Sequence, residues 1–446
     1  MDKWIKKDLE YNWHPYTQMK DCLEFPPIMI EKARGLKLYD RAGNFYYDTI
    51  SSWWCNIHGH NHPKIRAAIE RQAKLLDHVL FAGFTHKNAV LLAEKLVGIA
   101  PDNLKRVFFS DNGSTAVETA LKMSLQYWYN TGKTEKSRFV SLDAGYHGDT
   151  AGAMSVGGVS LFNKPFAPLL FKSFRAASPY CYRCPAGKKR DTCEIDCAGS
   201  LAAILREHSN KIAALILEPI VMAAGGMIIY PKEYLAKAAK LAQKYGVHLI
   251  LDEVATGFGR TGRFFACEHA GVKPDFMCLS KGITSGTLPL GATLTTEKIY
   301  RAFYGDYEKR RTFYHGHTYT ANPIACAAAL ASLVIFEEDR TLAKAKAKAE
   351  SLRDGLEELR DLPIVGDVRS IGMIGALELV KDKRRKTAFG LKERIGLRIY
   401  KAGLGRRLIL RPLGNITYLF LPLSVGKKEL EYILDNTCKI IRSVVY

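Results

Sequence analysis

The sequence predicts an α/β protein with a mostly parallel central sheet, helices on both its faces, and a smaller α+β unit beside it. Three observations lead there. The middle of the chain alternates short β-rich runs with helical runs, the pattern of strands joined by helical crossovers. Those runs are apolar nearly throughout, as strands buried on both faces must be. From about residue 325 the pattern changes to a long helical stretch followed by a strand-rich tail.

Taken in order, residues 1–57 form an N-terminal segment with short strands at Lys37–Tyr39 and Tyr46–Asp48, expected to pack with the C-terminal part. Residues 58–324 form the large domain. Its strands are Arg106–Phe109, Arg138–Leu142, Ala213–Leu217, His248–Leu251 and Phe276–Leu279, and helices between them include Ser114–Tyr129 and Lys232–Lys244. Residues 325–446 form the small domain, with helix over Ala325–Leu359 and strands over Gly372–Leu379 and Leu408–Leu421. A chain of 446 residues has ample core for both.

Composition excludes several classes. With 47% hydrophobic and 25% charged residues the chain is ordinary for a globular protein. Its longest apolar stretch, Ala213–Tyr230, is interrupted by Glu218 and Pro219 and cannot span a bilayer. The opening residues, MDKWIKKDLEYNWHPYTQ, lack the apolar core of a signal peptide, so a cytoplasmic location is expected. The net charge of +20 is dispersed. Its densest runs, Lys188-Lys189-Arg190 and Lys381–Lys386, are not interleaved with aromatics. They read as a solvated basic surface able to steer anionic substrates, and neither a nucleic acid nor a membrane is an expected partner.

Chemistry begins at Phe276-Met277-Cys278-Leu279-Ser280-Lys281-Gly282, an apolar strand ending in lysine. Desolvation at a strand end lowers a lysine's pKa and frees its amine to attack a carbonyl. Such a lysine can also simply reach solvent. Twenty-nine residues earlier, the apolar run His248–Leu251 ends in Asp252-Glu253. That spacing is about one crossover between neighbouring strands. A carboxylate there can hold a pyridine nitrogen protonated and make the ring an electron sink. Ligands bind at the carboxyl ends of such strands. The third element is Phe108-Phe109-Ser110-Asp111-Asn112-Gly113-Ser114-Thr115, where a strand turns into a helix whose free N–H groups suit a phosphate. Each element is common by itself; the three together are specific. The stretch Gly257-Phe258-Gly259-Arg260-Thr261-Gly262 fits G-x-G-x-x-G, but RFFACEHAGVKPD after it does not read as the helix that a dinucleotide site needs.

The stretch Leu249–Thr284, LILDEVATGFGRTGRFFACEHAGVKPDFMCLSKGIT, resembles the signature of the class III (fold type I) aminotransferases, which depend on pyridoxal 5'-phosphate. The resemblance covers nearly the whole chain. It implies a fold type I architecture and a homodimer with active sites at its interface. It implies Lys281 as the Schiff-base lysine and proton carrier, with Asp252 paired to the pyridine nitrogen. Gly113 and Ser114 would hold the phosphate, helped by Thr318 from a partner subunit, and Tyr146 would stack on the ring.

Within that class, Trp13-His14-Pro15-Tyr16-Thr17, Ser51-Ser52-Trp53-Trp54, Gly145–Thr150, His315-Gly316-His317-Thr318 and Leu410–Gly414 are similar to one branch. That branch moves an amino group from S-adenosylmethionine to 8-amino-7-oxononanoate in biotin synthesis. The similarity implies a pocket walled by Tyr16, Trp53, Trp54 and Tyr418, with Tyr16 also serving the chemistry. Arg411 would take the keto acid's carboxylate, Asp149 would lie near the substrate amine, and Gly316 would border the substrate. Relatives that use lysine as donor tend to lose the aromatic pair or the tyrosine at position 16. The chain departs from the class pattern at His317, where proline is usual, at Met222-Ala223, and at Leu423.

Ten cysteines complete the inventory. Six are scattered. Cys181, Cys184, Cys193 and Cys197 share one polar Gly/Lys-rich loop at a spacing compatible with zinc or an iron–sulfur cluster, which aminotransferase chemistry does not need.

Overall fold

The computed structural model describes residues 2–444. An N-terminal antiparallel sheet joins β1 (Ile30–Arg34), β2 (Lys37–Asp40) and β3 (Phe45–Tyr47). The central sheet is built from β4 (Leu104–Ser110), β5 (Arg138–Leu142), β6 (Phe174–Ala176) and β7 (Ile212–Leu217), followed after a small hairpin, β8 (Val221–Met222) and β9 (Ile228–Ile229), by β10 (His248–Asp252), β11 (Phe276–Leu279) and β12 (Gly291–Thr296). Its order is β4-β12-β11-β10-β7-β5-β6. Strands β11, β10, β7, β5 and β6 run parallel, while β12 is antiparallel to both β11 and β4. Every residue of β7, β10 and β11 is buried, which explains their unbroken apolar character.

Two features position the site. First, β10 pairs with β11 so that Asp252 faces Cys278, which sets Asp252 and Lys281 at the same edge of the sheet. The connection between these strands contains only a short 3-10 turn, Ala266–Ala270, where a helical crossover is expected. The Gly257–Gly262 stretch folds into turns there, and no helix opens within it. Second, β4 leads directly into the helix Gly113–Asn130. Asn112 caps that helix, its side chain accepting from the Thr115 N–H at 3.1 Å.

The C-terminal part differs from expectation in three places. The helical stretch is two helices, Pro323–Glu338 and Thr341–Glu357, broken where Arg340 adopts φ +50°. The strand expected at Gly372–Leu379 is β14 (Ile374–Asp382), and an unanticipated antiparallel partner, β13 (Val365–Ile371), precedes it in a hairpin. Gly372 makes its turn at φ +54°, and a Cβ there would lie 2.3 Å from the Arg260 carbonyl oxygen. Of the run Leu408–Leu421 only β16 (Ile416–Phe420) is a strand, pairing with β14, which also pairs with the short β15 (Thr387–Ala388). Pro412 lacks an N–H and ends regular pairing ahead of it.

The N-terminal segment is stitched to this last sheet. The Tyr47 N–H donates to the Arg407 carbonyl at 2.7 Å, the Phe420 N–H to Thr49 at 2.8 Å, and the Ser51 hydroxyl to the Phe420 carbonyl at 2.6 Å. No helix among the described residues is long and apolar enough to cross a membrane.

Candidate active site

Three parallel strands end in ionisable groups on one edge of the sheet. Glu218 follows β7, Asp252 closes β10, and Lys281 lies just past β11. They line a cavity of about 590 Å³ with Gly113, Ser114, Tyr146, His147, Asp149, Val254 and Trp54. That volume suits a cofactor with a small substrate.

Lys281 is half-buried at the cavity, and desolvation lowers its amine from the usual lysine range, although Asp252 and Glu218 oppose that. Glu218 is pushed up to about 8, first by burial and then by repulsion from Asp252. Its two oxygens accept the N–H groups of Tyr146 at 3.0 Å and Ala223 at 2.9 Å. Asp252 is held on both sides, by His147 Nδ1 at 2.8 Å and by the Val254 N–H at 3.1 Å. The amine of Lys281 lies 4.9 Å from the centre of the Trp54 ring.

At the helix Gly113–Asn130, the N–H groups of Gly113 and Ser114 occupy the first turn, where no intrahelical acceptor exists. Glycine is required there. A Cβ on Gly113 would meet Val254 Cγ1 at 2.6 Å, and one on Gly148 would meet the Ser114 hydroxyl at 2.0 Å.

An aromatic wall stands beside the cavity. Residues Ser51–Trp54 form a left-handed turn with φ between +44° and +73°. Such backbone costs about 1–2 kcal/mol per residue and persists only where the surroundings hold it. Here Asp48 accepts from the Ser52 N–H and hydroxyl, at 2.9 and 2.7 Å. Buried Arg260 donates to Ser51 Oγ at 3.2 Å and to the carbonyls of Trp54, Asn56 and Leu421 at 3.1, 2.7 and 3.0 Å. The turn presents Trp53 half-exposed and buries Trp54, whose indole N–H donates to the Tyr418 hydroxyl at 3.1 Å. Tyr16 meets the Trp53 ring edge-on and donates to the Asp149 carboxylate at 2.8 Å. Arg411 stacks 4.6 Å from the Trp53 ring centre and donates to the Tyr16 carbonyl at 3.2 Å.

Of the residues singled out from sequence, Gly113, Ser114, Tyr146, Asp149, Asp252, Lys281 and Trp54 meet at the cavity itself. Tyr16, Trp53, Arg411 and Tyr418 adjoin it through the contacts above. Gly316 and Thr318 are exposed and do not join the lining within this chain. Met222 is fully buried in the β8–β9 hairpin and faces no part of the cavity lining, whereas the neighbouring Ala223 N–H reaches Glu218.

Sequence reasoning missed Glu218, His147, Asp48 and Arg260. Glu218 carried the same signal as Asp252, an acid at the end of a wholly apolar run.

The family model for class III aminotransferases matches residues 19–441. This chain belongs to the class III aminotransferases. The adenosylmethionine-8-amino-7-oxononanoate aminotransferase of Geobacter sulfurreducens is 46% identical over 98% of this chain and 97% of its own. A crystal structure of the protein of that name from Methanocaldococcus jannaschii superposes with a TM-score of 0.94 at 42% identity, covering 99% and 98% of the two chains. The omega transaminase of Pseudomonas jessenii, solved in complex with PMP, gives a TM-score of 0.92 at 32% identity over 99% and 98%. This aminotransferase therefore works with pyridoxal phosphate and has the fold type I architecture. The cavity fits that cofactor: free N–H groups in a cradle with room only for glycine, a buried acid at one strand end, and a desolvated lysine at the next.

Proposed function

We propose that this aminotransferase takes an amino group from S-adenosylmethionine and delivers it to 8-amino-7-oxononanoate, giving 7,8-diaminononanoate for biotin synthesis. One observation carries the reading. The Tyr16, Trp53 and Trp54 wall with Arg411 against it stands beside Lys281, in a chain similar end to end to relatives named for that reaction.

Bound pyridoxal phosphate supplies an electron sink for charge released at the substrate's α-carbon. Gly113 and Ser114 would hold its phosphate, Asp252 its ring nitrogen, and Tyr146 its ring. The rest is done by the chain's own groups. Lys281, whose amine is held less basic by desolvation, takes the α-proton of the donor and returns a proton to the acceptor in the second half of a ping-pong cycle. His147 and the Val254 N–H keep Asp252 oriented. Tyr16 orients Asp149, which receives the substrate amine. One pocket must accept a sulfonium amino acid and an aliphatic keto acid in turn. Aromatic faces attract the first as a cation and pack the alkyl chain of the second. Arg411, a planar two-pronged donor, takes the keto acid's carboxylate.

The homodimer belongs to the same proposal. Thr318 and Gly316 lie on an exposed segment of this chain, flanked by the exposed rings of Tyr307, Tyr314 and Tyr319. A second copy would bring Thr318 to the phosphate of its partner. The division into residues 58–324, which supply the cofactor cradle, and the flanking segments 1–57 and 325–446, which supply the substrate wall, is proposed with it.

The test is product formation. Purified enzyme with cofactor and 8-amino-7-oxononanoate is given S-adenosylmethionine, lysine or a simple ω-amine, and 7,8-diaminononanoate is followed by mass spectrometry. Product with S-adenosylmethionine alone is expected. Product with lysine alone would reassign the donor, and no product with any donor would remove the acceptor.

A further inference from the structure

By spacing, Cys181, Cys184, Cys193 and Cys197 are compatible with a metal, but among the described residues no group of three or more His, Cys, Asp or Glu side chains is arranged to hold one. Their loop is held by ion pairs instead, Arg183 to Glu378 at 2.7 Å and Arg190 to Glu233 at 2.9 Å. A ring just behind the aromatic wall, Phe162, bears on the reaction more directly.

The wall depends on a residue that its own backbone holds poorly. Residues 12–18 are neither helix nor strand, and Tyr16 stands among them with φ +50° and about half its surface exposed. Such backbone is uncommon for a bulky residue and persists only where contacts hold it. Arg411 donates to the Tyr16 carbonyl at 3.2 Å, and Asp149 accepts from its hydroxyl at 2.8 and 2.9 Å. The Tyr16 ring meets two others edge-on. Trp53 lies 5.5 Å away between ring centres at 79°, and Phe162 lies 5.4 Å away at 85°. Edge-to-face pairs of this kind are the arrangement that ring quadrupoles favour.

Phe162 is presented from a well-pinned base. It sits in a single turn, Ser160–Asn163, where its N–H donates to the Val159 carbonyl at 3.0 Å. The Asn163 side chain donates to the carbonyls of Met154 and Gly157 at 3.2 and 2.7 Å. Arg175 donates to those of Ser155, Val156 and Gly157 at 2.8, 3.0 and 2.6 Å. The Gly158 N–H donates to the Gly145 carbonyl at 2.7 Å, and a Cβ on Gly158 would lie 2.3 Å from the Asp143 carbonyl oxygen. The segment therefore runs backbone against backbone over the turn that carries Tyr146. Phe162 also meets the Tyr146 ring edge-on at 6.0 Å. It ties Tyr16, on an irregular segment, to Tyr146, on the cavity lining. Phe162 does not line the cavity and has no polar group, so it acts through these rings.

We propose that Phe162 is a positioning residue for the amino donor: it sets the Tyr16 ring in the pocket wall before substrate arrives, and so determines how tightly S-adenosylmethionine is held. This rests on the reading of Tyr16 as a wall of the substrate pocket. A ring ordered in advance adds no ordering cost to binding, whereas a ring left to swing must be ordered by the substrate. The difference falls on ground state and transition state alike, and so on affinity rather than on the rate at saturation.

The experiment uses the full-length, cofactor-loaded enzyme titrated with S-adenosylmethionine and no acceptor, following the cofactor's visible band. Two quantities are read, the concentration for half-bleaching and the bleaching rate at saturation. Phe162→Leu keeps an apolar side chain and loses the ring. It is expected to raise the half-bleaching concentration about 3- to 10-fold, the worth of an aromatic pair. The saturating rate should stay within about twofold of the parent. Phe162→Tyr keeps the ring and should match the parent in both. In a Tyr16→Ala chain, Phe162→Leu should add less than about a twofold further rise, because its partner is gone. A saturating rate that falls as far as the affinity, or a full effect of Phe162→Leu in the Tyr16→Ala chain, would overturn the proposal. Parent affinity in Phe162→Leu beside weakened affinity in Tyr16→Ala would overturn this proposal alone. Parent affinity in Tyr16→Ala, or a parent band that S-adenosylmethionine leaves unchanged, would remove the reading of the pocket together with it.

Discussion

Three side chains carry separable duties, and each yields its own expectation. Arg411 serves the acceptor half-reaction, whereas Lys281 serves both. Arg411→Ala should raise KM for the keto acid about 10- to 100-fold, the loss of a charge-assisted pair, with the donor half-reaction less affected. Equal damage to both half-reactions would move Arg411 out of the acceptor's carboxylate site. Glu218 sets a pH dependence. It keeps its proton in the folded chain up to about 8, whereas an ordinary glutamate releases it near 4.5. Between those values the folded state holds more protons than the unfolded state, so this group's contribution to stability falls as pH rises through the window. In cofactor-free protein, Glu218→Gln should therefore flatten the decline of the unfolding midpoint between about pH 5 and 8. An unchanged slope would show that Glu218 titrates normally. Asp252 and Lys281 were legible because ionisable residues at the ends of apolar runs contradict their surroundings. Arg260 was not. Its partners Ser51, Trp54 and Asn56 lie more than two hundred positions away in sequence, and the motif around it pointed to a different chemistry.

At the scale of elements, the site rests on two pieces of demanding backbone. The turn Ser51–Trp54 is left-handed through four residues, and Arg260 donates four hydrogen bonds at it, two to Ser51 and Trp54 and two to the neighbouring Asn56 and Leu421. Arg260→Met leaves those acceptors buried and unpaired, and is expected to cost at least about 3 kcal/mol in urea unfolding. A loss of under about 1 kcal/mol would mean that Asp48 holds the turn alone. The second piece is the first turn of the helix Gly113–Asn130. Gly113→Ala pushes a methyl group into Val254, and should weaken cofactor binding by about 10- to 100-fold, read by fluorescence titration. The strands of the central sheet were readable because burial on both faces leaves continuous apolar runs. Strand β12 escaped notice because Gly291 and its three threonines weaken that signal. Strand β14 was readable as an apolar run, whereas β13 was missed because Gly366, Asp367, Arg369 and Ser370 interrupt its apolar character.

At the scale of the whole molecule, the proposal requires two chains. If Thr318 serves the partner's site, a heterodimer of a Lys281→Ala chain with a Thr318→Ala chain has one intact site and one doubly damaged site. Mixed heterodimers should then recover about half of the parent activity, whereas each homodimer is impaired. Recovery no greater than the average of the two homodimers would place Thr318 in its own chain's site. A dispersed charge of +20 does not define a second partner, and its effect is expected in how fast anionic substrates arrive. The central claim is that Lys281, beside the aromatic wall, would hold the cofactor and carry the α-proton of S-adenosylmethionine. The most direct test is the visible spectrum of the cofactor-loaded enzyme, titrated with S-adenosylmethionine or lysine and no acceptor. The account predicts that the cofactor's visible band bleaches with S-adenosylmethionine, stays with lysine, and does not turn over in Lys281→Ala. A band that S-adenosylmethionine leaves unchanged, or that bleaches equally in Lys281→Ala, would contradict it.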